Sequence, residues 1–124
     1  MPLDILIVDD SAAIRKIVQR VLRQAEVQLG QLYEAGDGLE ALKALESQHV
    51  DLVLADINMP NMDGLQLLSH IKSTESLKHL PVVMVTTEGG ESKVMSAAKI
   101  GAAGYVRKPF SAEQFRQTLD GIFA

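Results

Sequence analysis

The runs Ile5-Leu6-Ile7-Val8, Leu52-Val53-Leu54-Ala55 and Val82-Val83-Met84-Val85 are apolar without interruption. A strand with one wet face alternates apolar and polar residues, whereas a strand covered on both faces does not, and such strands belong to parallel sheets packed between helices. Two weaker strands are predicted at residues 31–34 and 104–107. Helical spacing fills the gaps. Ser11 caps a helix with Ile14, Ile17, Val18, Val21 and Leu22 on one stripe, and Gly36-Asp37-Gly38 turns into a helix with Leu39, Leu42 and Leu45 inward. A third helix carries Leu68 and Ile71 with either Leu65 or Leu67, and a fourth carries Val94, Ala97, Ala98 and Ile100. A capping-box pattern from Ser111 to Gln114 opens the last, with Phe115, Leu119 and Ile122. Strand and helix alternating along the whole chain imply right-handed crossovers, and hence an α/β fold, a three-layer sandwich around a five-stranded parallel sheet.

Parallel strands share one carboxyl edge, where ligands bind in open α/β sheets. That edge collects Asp9 and Asp10 after the first strand, Asp56 after the third, Thr86 after the fourth and Lys108 after the fifth. An Asp after a strand commonly just starts a turn or caps a helix, and Thr86 read alone is an ordinary β-branched strand end. The convergence of all five is what turn chemistry does not explain. Three crowded carboxylates repel one another unless a cation joins them. The donors are all oxygen: Asp9 or Asp10, Asp56 and a backbone carbonyl such as that of Asn58. That set favours a hard ion, Mg²⁺ or Mn²⁺, over zinc. A carboxylate nucleophile beside such an ion suits phosphoryl transfer, with Asp56 attacking phosphorus, Lys108 adding positive charge and Thr86 bonding a phosphoryl oxygen.

Composition narrows the setting. With 124 residues the chain is expected to be one domain over 1–124, large enough to bury about two thirds of its unfolded surface. There is no Cys, so no disulfide and no thiolate metal site. The net charge of −4 argues against nucleic-acid or anionic-membrane binding through a basic face. Neither a leader pattern nor a membrane-length apolar run is present, which favours the cytoplasm. His49, His70 and His79 show no metal-ligand spacing and are expected to be solvated.

Four motifs carry a resemblance covering essentially the whole chain: Ile-Leu-Ile-Val-Asp-Asp-Ser from residue 5, Ala-Asp-Ile-Asn-Met-Pro-Asn-Met-Asp-Gly from 55, Val-Met-Val-Thr-Thr-Glu from 83 and Gly-Tyr-Val-Arg-Lys-Pro-Phe from 104. The chain resembles the receiver domains of two-component response regulators, especially the stand-alone chemotaxis, CheY-like type. The resemblance implies a flavodoxin-like strand order 2-1-3-4-5. It implies Asp56 as acceptor of a phosphoryl group from a histidine kinase, Mg²⁺ on Asp9, Asp10, Asp56 and the Asn58 carbonyl, and Lys108 bridging to the phosphoryl group. Thr86 is then the switch hydroxyl and Tyr105 the switch aromatic. Asn58 and Glu88 occupy the rate-tuning positions, and Lys108-Pro109 is expected to be cis. The output is a downstream protein bound on the face of the fourth helix, fifth strand and fifth helix, from a chain that is monomeric when unphosphorylated.

Thr87 and Gly89-Gly90 depart from the chemotaxis pattern and predict a mobile loop. The rival readings are an aspartyl-phosphate phosphatase or phosphotransferase, a receiver in a non-chemotaxis phosphorelay, and a flavin or dinucleotide module. The phosphatase reading wants an Asp acid where Asn58 stands. The nucleotide reading wants a glycine- or hydroxyl-rich loop where Asp9 and Asp10 would repel phosphate.

Overall fold

The computed structural model describes residues 2–86 and 91–123, with the backbone alone at Thr86 and Glu91. The elements alternate without exception: β1 (Leu3–Val8), α1 (Ala12–Gln24), β2 (Leu29–Ala35), α2 (Gly38–Ser47), β3 (Leu52–Asp56), α3 (Gly64–Ser73), β4 (Val82–Thr86), α4 (Glu91–Ile100), β5 (Gly104–Arg107) and α5 (Ala112–Phe123). The five strands pair in parallel in the order β2-β1-β3-β4-β5. The order reverses between β1 and β3, so the crevice for a ligand opens where those two strands end.

The apolar runs are continuous because each strand feeds two cores. Ile5, Ile7, Leu52, Leu54, Val83, Val85 and Val106 pack with Val18, Leu22, Phe115 and Leu119 of α1 and α5. Leu6, Val8, Val53, Ala55, Val82 and Met84 pack with Ala41, Leu67, Leu68, Ile71 and Ala97 of α2, α3 and α4. Each fully buried aliphatic side chain contributes roughly 1.5–3 kcal/mol, so burial on both faces holds the sheet between its helices.

Some helix phases differ from the predicted ones. In α2 the buried residues are Ala41 and Leu45 with Gly38, while Leu39 is 54 % exposed. The Asp37 cap accepts from the Glu40 N–H at 2.9 Å and fixes the helix start so that Leu39 faces outward. Ile17 of α1 is 40 % exposed, and Ala98 and Ile100 of α4 lie outside the core. In α3 the buried set is Leu67, Leu68 and Ile71, the second of the two predicted patterns. The β2 strand is longer than predicted. The Ser111 hydroxyl accepts from the Gln114 N–H at 3.3 Å, and a reciprocal capping box also closes between Asp63 and Gln66 ahead of α3. The Lys108-Pro109 bond is cis, as expected. Thr87, Glu88, Gly89 and Gly90, on which the expectation of a mobile loop fell, lie outside the described residues.

Candidate functional site

Strand register builds the site. Val8 pairs with Ala55, which sets Asp9 abreast of Asp56 at the ends of β1 and β3. Asp56 pairs with Val85, and Thr86 with Arg107, so Lys108 leaves β5 one step beyond Thr86. The Lys108 ammonium reaches back between the acids, 3.3 Å from Asp9 Oδ2 and 3.4 Å from Asp56 Oδ2. Asp9 is 4 % exposed and Asp56 8 %, while Asp10 is open to solvent.

The other oxygens are held locally. Asp9 Oδ1 accepts from the Ser11 N–H at 2.9 Å, at the start of α1, where the Ser11 hydroxyl accepts in turn from the Ile14 N–H. Asp56 Oδ1 accepts from the Asn58 N–H at 3.3 Å. Both Lys108 contacts are longer than the 2.7–2.9 Å usual for a charge-assisted bond, so one ammonium is shared by two carboxylates without saturating either. Burial raises the Asp56 pKa; Lys108 opposes this, the Asp9 charge adds to it, and the Asn58 N–H opposes it more weakly.

Carboxylate oxygens of Asp9, Asp10 and Asp56 lie within 4.8 Å of one another. Three acids against one shared ammonium leave a charge deficit that a divalent cation matches, and an all-oxygen set suits Mg²⁺ or Mn²⁺. The donor chemistry therefore fits such an ion, and solvent-facing Asp10 gives it an approach.

The loop carrying Asn58 is fixed by contacts that the sequence reading missed. Asn61 Nδ2 donates to Asp37 Oδ2 at 2.7 Å, and the Gly38 N–H donates to the Met62 carbonyl at 3.0 Å. The Asn61 bond, with the Glu40 N–H, holds the Asp37 carboxyl below its ordinary range. Asn61 itself adopts a φ of 62°, which Asn tolerates better than most residues. Gly64 begins α3 where a Cβ would stand 2.3 Å from the Asp56 carbonyl oxygen, so only glycine lets the helix approach this closely. On the other flank, Arg15 donates from Nε to Glu34 at 2.8 Å and from Nη1 to the Asp9 carbonyl, tying α1 to the acid pair.

The sequence-predicted residues are thus largely convergent. Asp9, Asp10, Asp56 and Lys108 meet, and Asn58 stands beside them. Thr86 ends β4 at the same edge, with its side chain outside the description, as is the whole of Glu88. Tyr105 is 47 % exposed, with the Arg107 guanidinium carbon 6.0 Å from its ring centroid. A cavity of about 920 Å³ lies away from these acids and is lined by His49, His70 and His79 among others. All three histidines are exposed, as expected, but His49 does have a partner, Asp51 Oδ1 at 2.9 Å, with Asp4 close by. Backbone N–H groups of Asp4 and Gln31 already occupy oxygens of Asp51 and Asp4 there, and the group reads as a strand-edge clasp.

The chain as a whole has counterparts among known proteins. The model of the response regulator receiver domain matches residues 5–120. The chain belongs to the response regulator receiver family. The receiver is 44 % identical to chemotaxis protein CheY-3 of Vibrio cholerae over 96 % of its own length and 90 % of that protein's. To chemotaxis protein CheY of Pseudomonas aeruginosa it is 42 % identical, over 96 % of its length and 94 % of that protein's. Its structure superposes on chemotaxis response regulator CheY4 of Vibrio cholerae with a TM-score of 0.85 at 32 % identity, covering 99 % of this receiver and 100 % of that chain. The flavodoxin-like order expected from the sequence is the order this receiver has.

Proposed function

We propose that this receiver, one domain over residues 1–124, takes a phosphoryl group on Asp56 from a phosphohistidine of a histidine kinase and passes the signal by changing its protein contacts. The observation that carries the reading is a single ammonium, Lys108, shared between buried Asp9 and buried Asp56 beside solvent-facing Asp10. Asp9, Asp10 and Asp56 with the Asn58 carbonyl would hold Mg²⁺ or Mn²⁺, which when bound neutralises charge on the phosphoryl oxygens.

An oxygen of Asp56 attacks phosphorus in line, the bond from phosphorus to the imidazole nitrogen breaks, and that electron pair returns to the ring. Asp56 is suited to this because it presents an oxygen held, among the described residues, only by the long Asn58 N–H bond. Lys108 follows the negative charge from the carboxylate pair onto the phosphoryl group. Thr86 and Tyr105 are the switch residues, Asn58 and Glu88 tune the rate, and the output face comprises α4, β5 and α5. Exposed Tyr105, Met95 and Ile100 support that assignment. The kinship with chemotaxis proteins of two organisms favours a motility pathway. The receiver is placed in the cytoplasm, as a monomer when unphosphorylated. Among the described residues no helix is long and apolar enough to cross a membrane. The protein acts on its own side chain rather than turning over a separate substrate.

Phosphoramidate, a small donor with the phosphorus–nitrogen bond of phosphohistidine, tests the transfer. Wild type should take up phosphate only with Mg²⁺ present, and Lys108→Ala should do so about 100-fold more slowly. Uptake that ignores chelation, or an unimpaired Lys108→Ala, contradicts the reading.

A further inference from the structure

Asn58 is engaged on two sides. Its backbone N–H points at Asp56 Oδ1, and its side-chain Oδ1 accepts a 2.7 Å hydrogen bond from Lys93 Nζ, in the first turn of α4. An ammonium has no acceptor, so the atom it meets is the carboxamide oxygen, and the NH₂ group faces elsewhere. The short distance is that of a charge-assisted bond. It links α4 directly to the loop leaving β3.

We propose that Lys93 is a positioning residue that lengthens the life of the Asp56 phosphate by occupying the acceptor atom of the Asn58 side chain; this rests on the Asp56 reading above and extends it to regulation. In hydrolysis a water oxygen bonds phosphorus in line and the phosphorus–oxygen bond to Asp56 breaks. Its electron pair returns to the carboxylate, and the water proton leaves with inorganic phosphate or to solvent. The entering water needs an acceptor to aim its lone pair at phosphorus. Two residues from Asp56, the carboxamide oxygen of Asn58 is such an acceptor, and its NH₂ group is not. Lys93 takes one of the two lone pairs of that oxygen and holds the carboxamide turned toward α4, so the water is poorly aimed and the acyl phosphate persists.

The sign distinguishes this from plain electrostatics. A cation that merely stabilised charge in the transition state would speed hydrolysis, and its removal would slow it. Here removal should speed it. The test loads wild type, Lys93→Met, Lys93→Arg, Asn58→Ala and the double variant Lys93→Met with Asn58→Ala, using acetyl phosphate and Mg²⁺. The donor is then removed and phosphate release followed. Lys93→Met should decay about two- to ten-fold faster than wild type, the worth of one hydrogen bond, with Lys93→Arg restoring most of the lifetime. In the Asn58→Ala background the Lys93 substitution should change nothing, a dependence that a merely structural role would not produce. An unchanged or longer lifetime in Lys93→Met, or an equal acceleration without the Asn58 carboxamide, overturns the role of Lys93 alone. Failure of wild type to load overturns the Asp56 reading and this inference with it.

Discussion

Asp56 and Asp37 are both buried carboxylates near one loop, yet their pKa values move in opposite directions, because one loses water with little in return and the other gains Asn61. A raised folded pKa means that Asp56 contributes stability below its unfolded pKa and loses it as pH rises through the folded value. At neutral pH its ionised form is therefore a burden on the fold. Asp56→Asn should melt at a higher temperature than wild type at about pH 7 without divalent ions, and the gain should shrink as pH falls into the acid range and wild-type Asp56 takes up its proton. Thermal melts across that range check this, and a gain that grows on acidification would contradict the assigned sign. Asp37 works the other way: its depressed pKa supplies stability above the unfolded value that fades as pH falls through the folded one. The half-buried Asp37–Asn61 bond therefore weakens in acid while Asp56 is relieved.

At the scale of elements, helix starts aim the chemistry. Ser11 begins α1 against Asp9, Asp37 begins α2 and grips Asn61, and Asp63 begins α3 in a box with Gln66. Gly64 is where packing and site become one constraint, since α3 sits directly on the Asp56 backbone. Gly64→Ala should cost about 3 kcal/mol through overpacking and should impair Asp56 chemistry more than a surface substitution of equal stability cost. Denaturant titration alongside phosphate uptake measures both; a variant within about 0.5 kcal/mol of wild type would show that α3 shifts freely. The phase of α2 illustrates what periodicity leaves open. Leu39, Leu42 and Leu45 recur at helical spacing, but the cap at Asp37 rotates Leu39 outward and gives its place to small Ala41, whose closeness to the sheet has no signature in hydrophobicity.

Across the whole molecule, what was legible in the sequence was whatever the strands determine. Unbroken apolar runs required two covered faces, parallel strands required a common carboxyl edge, and that edge had to bring Asp9, Asp10, Asp56 and Lys108 together. Side-chain contacts around the site were not legible, because nothing in local spacing marks Lys93 for Asn58, Arg15 for the Asp9 carbonyl, or Asn61 for Asp37. Asp37 alone left a trace, an acid three residues ahead of Glu40 at the head of a helix. The sheet thus assembles the acid and lysine centre, and the loops grip its rim. Intact-mass analysis after incubation with acetyl phosphate, with and without Mg²⁺, on wild type and Asp56→Asn tests that centre most directly. A Mg²⁺-dependent gain of one phosphoryl mass in wild type and none in Asp56→Asn is the expected result; an adduct that persists in Asp56→Asn, or that forms equally without the ion, would contradict the assignment of Asp56 as the acceptor in an acid pocket built for a divalent cation.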